Sequence, residues 1–187
     1  MNKIFSAAAG LLLFLQPATS AAATFVVDQK LSHITVYAKA TGGDFKGYLG
    51  KYSATITGDA TTLKPSSASV TWKFADLDTR KKKRNAKMLS WLDTGKHPGG
   101  SFKLSRVFDK KVVGKTQTYA LGNITIHGVS KQIVFPITTT KKSPALTITG
   151  QAVIDTTDFK LPIIRMALVA TVKPKLTIDF NLTGTIK

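Results

Sequence analysis

The sequence predicts an all-β fold, an eight-stranded antiparallel barrel with one short basic helix. Three observations carry this expectation. After residue 24 the chain is dominated by Thr, Val, Ile and aromatic residues, with turn signals at short intervals. Its apolar residues repeat with a period of two over long stretches, the mark of antiparallel sheets with one wet and one dry face. About eight such stretches occur, many longer than the usual five or six residues, and a barrel closed on itself leaves no exposed edges. A two-sheet sandwich fits the same periodicity.

Along the chain, residues 1–23 read as a cleavable export signal. Lys3 gives it a positive start, Ile4 to Leu15 an apolar stretch, and Ala21-Ala22-Ala23 a small-residue cleavage site. That stretch is shorter than the roughly 20 residues of a membrane span. Residues 24–187 then form one domain. Ile34, Val36 and Ala38 alternate, and Gly47 and Gly50 mark bends in a long curved strand over Phe45 to Ile56. Val70, Trp72 and Phe74 form a row after the Pro65-Ser66-Ser67 turn. Asp78-Thr79 predicts the cap of a helix over Arg80 to Leu92, stopped by Gly95 and Pro98. Six of its residues are cations, Arg80, Lys81, Lys82, Lys83, Arg84 and Lys87, and cations in a first turn oppose the helix dipole.

Phe102, Leu104 and Phe108 come next, with Arg106 interrupting them. Between Thr116 and Ile126 the apolar phase moves from Tyr119 and Leu121 to Ile124 and Ile126, which predicts a bulge at Gly122-Asn123. His127-Gly128-Val129-Ser130 reads as a hairpin connection. Ile133, Phe135 and Ile137 form another row, as do Leu146, Ile148, Ala152 and Ile154. The clearest strand is the last: Leu176, Ile178, Phe180, Leu182, Gly184 and Ile186 share one face between Lys175 and Lys187.

Cysteine is absent, so thiol catalysis, redox motifs and disulfides are excluded, and packing and sheet hydrogen bonds must supply the stability. The chain carries 27 Lys and Arg against 10 acidic residues, a net charge of +17. All of the acidic residues are Asp. Such an excess attracts anionic partners: lipid headgroups, pyrophosphates, acidic polysaccharides or nucleic acid. Export argues against nucleic acid, and so does the lack of stacking aromatics among the basic residues. No nucleophile elbow or other catalytic signature is present, so no catalytic residue is assigned and the chain is not read as an enzyme. His33, His97 and His127 lie far apart without ligand spacing, and each is read as a turn or strand residue rather than a metal ligand.

Several stretches in the right order resemble the YceI-like family. They are Met88-Leu89-Ser90-Trp91-Leu92-Asp93 with Lys96-His97-Pro98 and Ser101-Phe102, then Leu121 to Lys131, and Asp155-Thr156-Thr157-Asp158-Phe159. The opening Val27-Asp28 and the alternating last strand agree, so the likeness covers essentially all of residues 24–187. The sequence departs from the family where Leu31-Ser32 replaces a usual His-Ser, and where Thr156 and Lys160 replace a usual Arg and Gly. The resemblance implies a lipocalin-like, often periplasmic barrel that binds polyisoprenoid lipids, including isoprenoid quinones or prenyl pyrophosphates.

Alternation alone leaves open whether inward side chains fill a barrel or line a cavity, since eight strands allow both. The resemblance implies the cavity. Its candidate walls are Ile34, Val36, Val70, Trp72, Phe74, Trp91, Tyr119, Leu121, Ile178, Phe180 and Leu182, with Arg80, Lys83, Arg84 and Lys87 meeting a headgroup or membrane. The expected function is a periplasmic carrier of an amphiphile with an isoprenoid tail, touching an anionic membrane surface transiently and needing no cofactor beyond that lipid or quinone. The alternative is a cationic protein with a filled core that binds anionic lipid or polysaccharide through its exterior.

Overall fold

The computed structural model describes residues 22–166 and 170–187, and most of the expected export signal lies outside them. The strands are β1 (Ala22–Val27), β2 (His33–Ala40), β3 (Phe45–Leu49), β4 (Tyr52–Asp59), β5 (Pro65–Lys73) and β6 (Leu77–Asp78). After helix α1 (Lys82–Trp91) come β7 (Gly99–Val112), β8 (Lys115–Ile126), β9 (Val129–Lys142), β10 (Ala145–Asp155), β11 (Arg165–Met166) and β12 (Ala170–Ile186).

The strand count reduces to eight because three strands are interrupted. β1 and β2 both pair with β12, β4 and β3 pair with β1 and β2 in turn, and β5 and β6 pair with β4 and β3. From β5 the sheet runs through β7, β8, β9 and β10 back to β12. The result is a closed antiparallel up-and-down barrel. Local chemistry accounts for several of the bends and irregularities. Gly50 donates its N–H to the carbonyl of Asp76 (2.9 Å) instead of to the neighbouring strand, which separates β3 from β4 where a bend is expected. In β12, Pro174 lacks an N–H and sits within the register shift between Val172 and Leu176. The His127-Gly128 pair joins β8 to β9 with φ of 51° and 72°, the two left-handed residues of a type I′ hairpin.

Two expectations are corrected. The bulge lies on β7, between Leu104 and Arg106, and β8 keeps one phase throughout. Ala120, Gly122, Ile124 and Ile126 face inward, so Tyr119 and Leu121 face out. Beyond the bulge β7 swaps faces: Val107 turns inward, and Phe108 stacks on Tyr119 outside, with ring centroids 5.8 Å apart. Gly122 hid the phase because it faces inward without an apolar side chain. The second correction concerns α1. It begins at Lys82 with no side-chain cap. Asp78 is occupied in β6 opposite Tyr48, and Arg80 turns the chain at φ 62°. Asn85 does the fastening from inside the helix: its Oδ1 accepts from the backbone N–H (2.9 Å) and hydroxyl of buried Thr79, and its Nδ2 donates to Asp78 (2.8 Å).

Packing divides into three groups. Phe74, Leu92, Ile124, Ile126, Ile154, Phe159 and Leu161 form one buried cluster beneath α1. Phe25, Tyr52, Ile56, Leu146, Ile148 and Leu182 form a second. Ala120, Phe135, Ile137 and Ala152 form a third, against the wall strands β8, β9 and β10. Ile34, Val36, Val70, Trp72, Ile178 and Phe180 face inward yet stay only half-buried. Inward apolar residues that keep accessible surface mean that the barrel is hollow.

Candidate functional site

The site is that hollow, a cavity of about 640 Å³. Alternation builds its wall: each strand contributes every second residue, and the aliphatic and aromatic rows read from the sequence converge on one lumen. Small residues keep it open. Ala38, Ala120 and Ala152 stand on the wall, and large rings lie flat over neighbouring glycines instead of crossing the lumen. Trp72 lies over Gly100, its register partner, at a distance where a Cβ would come within 2.5 Å of the ring. Phe102 covers Gly122 in the same way, and Phe180 covers Gly150. Phe135 links Phe102 and Phe180 through ring contacts of 5.6 and 5.8 Å.

Of the wall residues expected from the sequence, Ile34, Val36, Val70, Trp72, Phe74, Trp91, Ile178, Phe180 and Leu182 line the cavity. Tyr119 and Leu121 do not, because β8 keeps its even phase. The lumen also takes in Phe45, Phe102, Leu104, Ile124, Ile133, Phe135 and Ile148. Most of these belonged to recognised apolar rows. What alternation could not supply was how far along each row the lumen extends.

The charged lining is one-sided. Lys81, Lys83, Arg84, Lys87 and Lys173 reach the cavity, and no carboxylate stands among the described lining residues. These cations gather where α1 meets the β2–β3 turn. The Arg84 guanidinium lies 4.4 Å from the centroid of Phe45, and Thr41 holds the start of β12 through the N–H of Thr171 (2.8 Å). Arg84 donates through Nη2 to the carbonyl of Thr79, while its Nε is buried without a hydrogen-bond partner. A buried guanidinium donor left open at a cavity mouth suits an anionic or carbonyl oxygen brought by a guest. Arg80, expected beside these residues, is absent from the lining. Its left-handed backbone turns it out over Tyr48 (4.8 Å) and towards Asp78 (3.9 Å). Lys81 belonged to the recognised basic run, but Lys173 had no signal, since it reaches inward only through the irregularity around Pro174.

Trp91 does two jobs at this end. Its ring faces the lumen, and its Nε1 donates to the carbonyl of Pro162 (2.7 Å), tying α1 to the segment before β11. The Asp78 carboxyl lies below the usual carboxylate range, chiefly because Asn85 donates to it, then through the backbone N–H and charge of Arg80. That pair anchors the basic helix. Elsewhere His33 is exposed, whereas His97 and His127 meet edge to face with centroids 4.5 Å apart, off the cavity.

Fold and site together define a class: a small hollow antiparallel barrel with an apolar lumen and a cationic mouth. Within that class the match is specific, since the YceI-like domain model covers residues 25–184. The chain belongs to the YceI-like family. A UPF0312 protein of Vibrio parahaemolyticus is 30% identical over 122 residues, which are 63% of each chain. The alignment thus spans a little under two thirds of that relative's length. Among solved structures, Burkholderia cenocepacia BcnA superposes with a TM-score of 0.73 at 23% identity, covering 86% of this chain and 100% of that one. A polyisoprenoid binding domain from Saccharophagus degradans, implicated in plant cell wall breakdown, gives a TM-score of 0.61 at 10% identity, covering 88% and 98%.

Proposed function

We propose that this protein is a periplasmic carrier that shelters the isoprenoid tail of an amphiphile in its lumen and holds the polar head at the basic mouth. One observation carries the reading: an apolar cavity of about 640 Å³ whose charged lining is all cationic and lies at one end. That volume falls in the range of about 300–1,000 Å³ typical of small-molecule sites. Tail burial contributes roughly 25 cal/mol per Å² removed from water, so the wall selects for length and shape. Lys81, Lys83, Arg84, Lys87 and Lys173 select a head rich in oxygen or negative charge, a prenyl pyrophosphate or a quinone carbonyl. The polyisoprenoid binding domain of the same fold from Saccharophagus degradans supports this choice of tail. The cycle is binding and release, without covalent chemistry, and the cationic mouth serves transient approach to an anionic membrane at about 1 kcal/mol per basic residue near its surface.

Native mass spectrometry of residues 24–187, followed by solvent extraction and lipid identification, tests the proposal. The expected result is a prenyl lipid at about one per chain. It should persist at high salt and be lost in the lumen-blocking variant Val36→Trp. Lipid association that vanishes at high salt but survives Val36→Trp would instead identify binding through the charged exterior.

A further inference from the structure

Apart from the lumen, the fold brings together three side chains that the sequence keeps far apart. Asp93 follows α1, His97 ends the loop before β7, and His127 sits in the β8–β9 hairpin. One potential ligand atom from each lies within 4.8 Å of the other two. None of the three lines the cavity. We propose that Asp93, His97 and His127 form a site for a borderline first-row divalent metal of the zinc type.

The three residues are held in place by the fold. Asp93 has φ 46° and begins a tight turn in which its carbonyl accepts from the N–H of Lys96 (2.9 Å) and of His97 (2.8 Å). This turn brings both potential ligands of the loop to the same side. His97 packs directly on Gly128, where a Cβ would come within 2.8 Å of its ring, so the hairpin glycine admits the imidazole. His127 takes a left-handed backbone at φ 51°, and its Nδ1 lies 3.2 Å from the carbonyl of Phe159. A carbonyl only accepts, so Nδ1 carries the proton and Nε2 presents its lone pair. A ligating histidine is usually oriented by such a second bond.

The donor set defines the chemistry. Two imidazoles and one carboxylate suit zinc and its neighbours, whereas calcium and magnesium prefer oxygen alone. Bonds of about 2.0–2.1 Å in a tetrahedron place ligand atoms about 3.3 Å apart. Small side-chain rotations close the gap from 4.8 Å. Lys96, now 3.5 Å from the Asp93 carboxylate, would give way to the metal. The fourth position falls to water. Bound there, the metal fastens the end of α1 to the β8–β9 hairpin and, through Phe159, to the turn after β10. Trp91 and Leu92, which line the lumen, lie two residues and one residue before Asp93.

The test is calorimetric titration of untagged protein, residues 24–187, with zinc chloride alone. One zinc per chain is expected, with affinity reduced at least tenfold in His97→Ala, His127→Asn and Asp93→Asn and unchanged in His33→Ala. Asn is chosen at 93 and 127 because it tolerates a left-handed backbone, and circular dichroism confirms that each variant is folded. Zinc should also raise the thermal midpoint of the native protein and leave that of His97→Ala where it was. Absence of saturable binding at one per chain overturns the proposal, as does binding that survives all three substitutions.

Discussion

Gly122→Ala tests how the lumen stays open. The added Cβ would stand 2.5 Å from both Cε2 and Cζ of Phe102 and 2.6 Å from the backbone carbonyl of Lys103. The ring alone could tilt, but tilting drives it towards Phe135, whose centroid is 5.6 Å away, or into the lumen. The carbonyl belongs to the β7–β8 pairing and has no freedom to yield. Overpacking of this kind costs about 1–3 kcal/mol, and a domain of this size loses roughly 2–4 °C of thermal midpoint per kcal/mol. The expected loss is therefore about 2–12 °C by differential scanning calorimetry. Gly50→Ala is the control, because its Cβ meets only the carbonyl of Asp76 at an ordinary 3.6 Å. Trimming the ring with Phe102→Leu in the Gly122→Ala background should restore part of the loss, a coupling that a double-mutant cycle reads directly. If Gly122→Ala unfolds no earlier than Gly50→Ala, the account of rings lying over glycines is wrong.

Two further outcomes follow from the polar groups that hold the mouth and the barrel rim. Asn85→Ala should cost about 1–3 kcal/mol, because it leaves the buried N–H and hydroxyl of Thr79 without an acceptor. Urea unfolding checks this, and a midpoint equal to that of the unsubstituted protein would remove Asn85 as the anchor of α1. Acid should destabilise the fold through three carboxyls held below the usual range: Asp109 chiefly by Lys64, Asp155 by Thr157 and Asp78 by Asn85. Their folded values lie below the unfolded ones, so their contribution is present above about pH 4 and is lost as the pH falls through the lowered values. Thermal midpoints measured from pH 6 downward should fall in that window, by less when all three are changed to Asn.

The barrel was legible in the sequence because its inward rows are long. Leu176 to Ile186 alternates without a fault, and its partner rows on β2 and β10 are nearly as regular, so most lumen residues could be named from phase alone. The errors came where phase is carried by residues without apolar bulk. Ala120 and Gly122 are inward residues of β8, and the outward pair Tyr119 and Leu121 outweighs them in any hydrophobic reading, because Tyr and Leu carry far more apolar bulk than Ala and Gly. The helix cap failed for a different reason: Asp78 and Thr79 are good capping residues, but strand pairing to Tyr48 claimed Asp78, and Thr79 donates its N–H and hydroxyl to Asn85 instead. Contacts across the fold, such as His97 against His127 or Lys173 at the mouth, leave no periodic trace and depend on closure of the whole barrel.

Closure has an energetic consequence that bears on occupancy. Cavities created in protein cores cost about 24 cal/mol per Å³. The lumen of about 640 Å³ opens at its mouth, so its cost falls below that closed-cavity rate, yet an empty apolar wall still lacks packing partners. Water is a poor remedy, because buried waters need polar partners and this wall offers them only at its mouth. A guest that fills the lumen should therefore act as a structural component of the barrel. At a free concentration one hundred times its dissociation constant it adds about 2.7 kcal/mol, or roughly 5–11 °C in thermal midpoint. Solvent extraction of the purified protein should lower the midpoint by that amount, and a prenyl lipid added back should restore it. In Val36→Trp, where the indole occupies part of the lumen, extraction should change the midpoint far less. A stripped barrel as stable as the loaded one would mean that the lumen collapses or fills with water, and that the hollow described here does not persist without a guest.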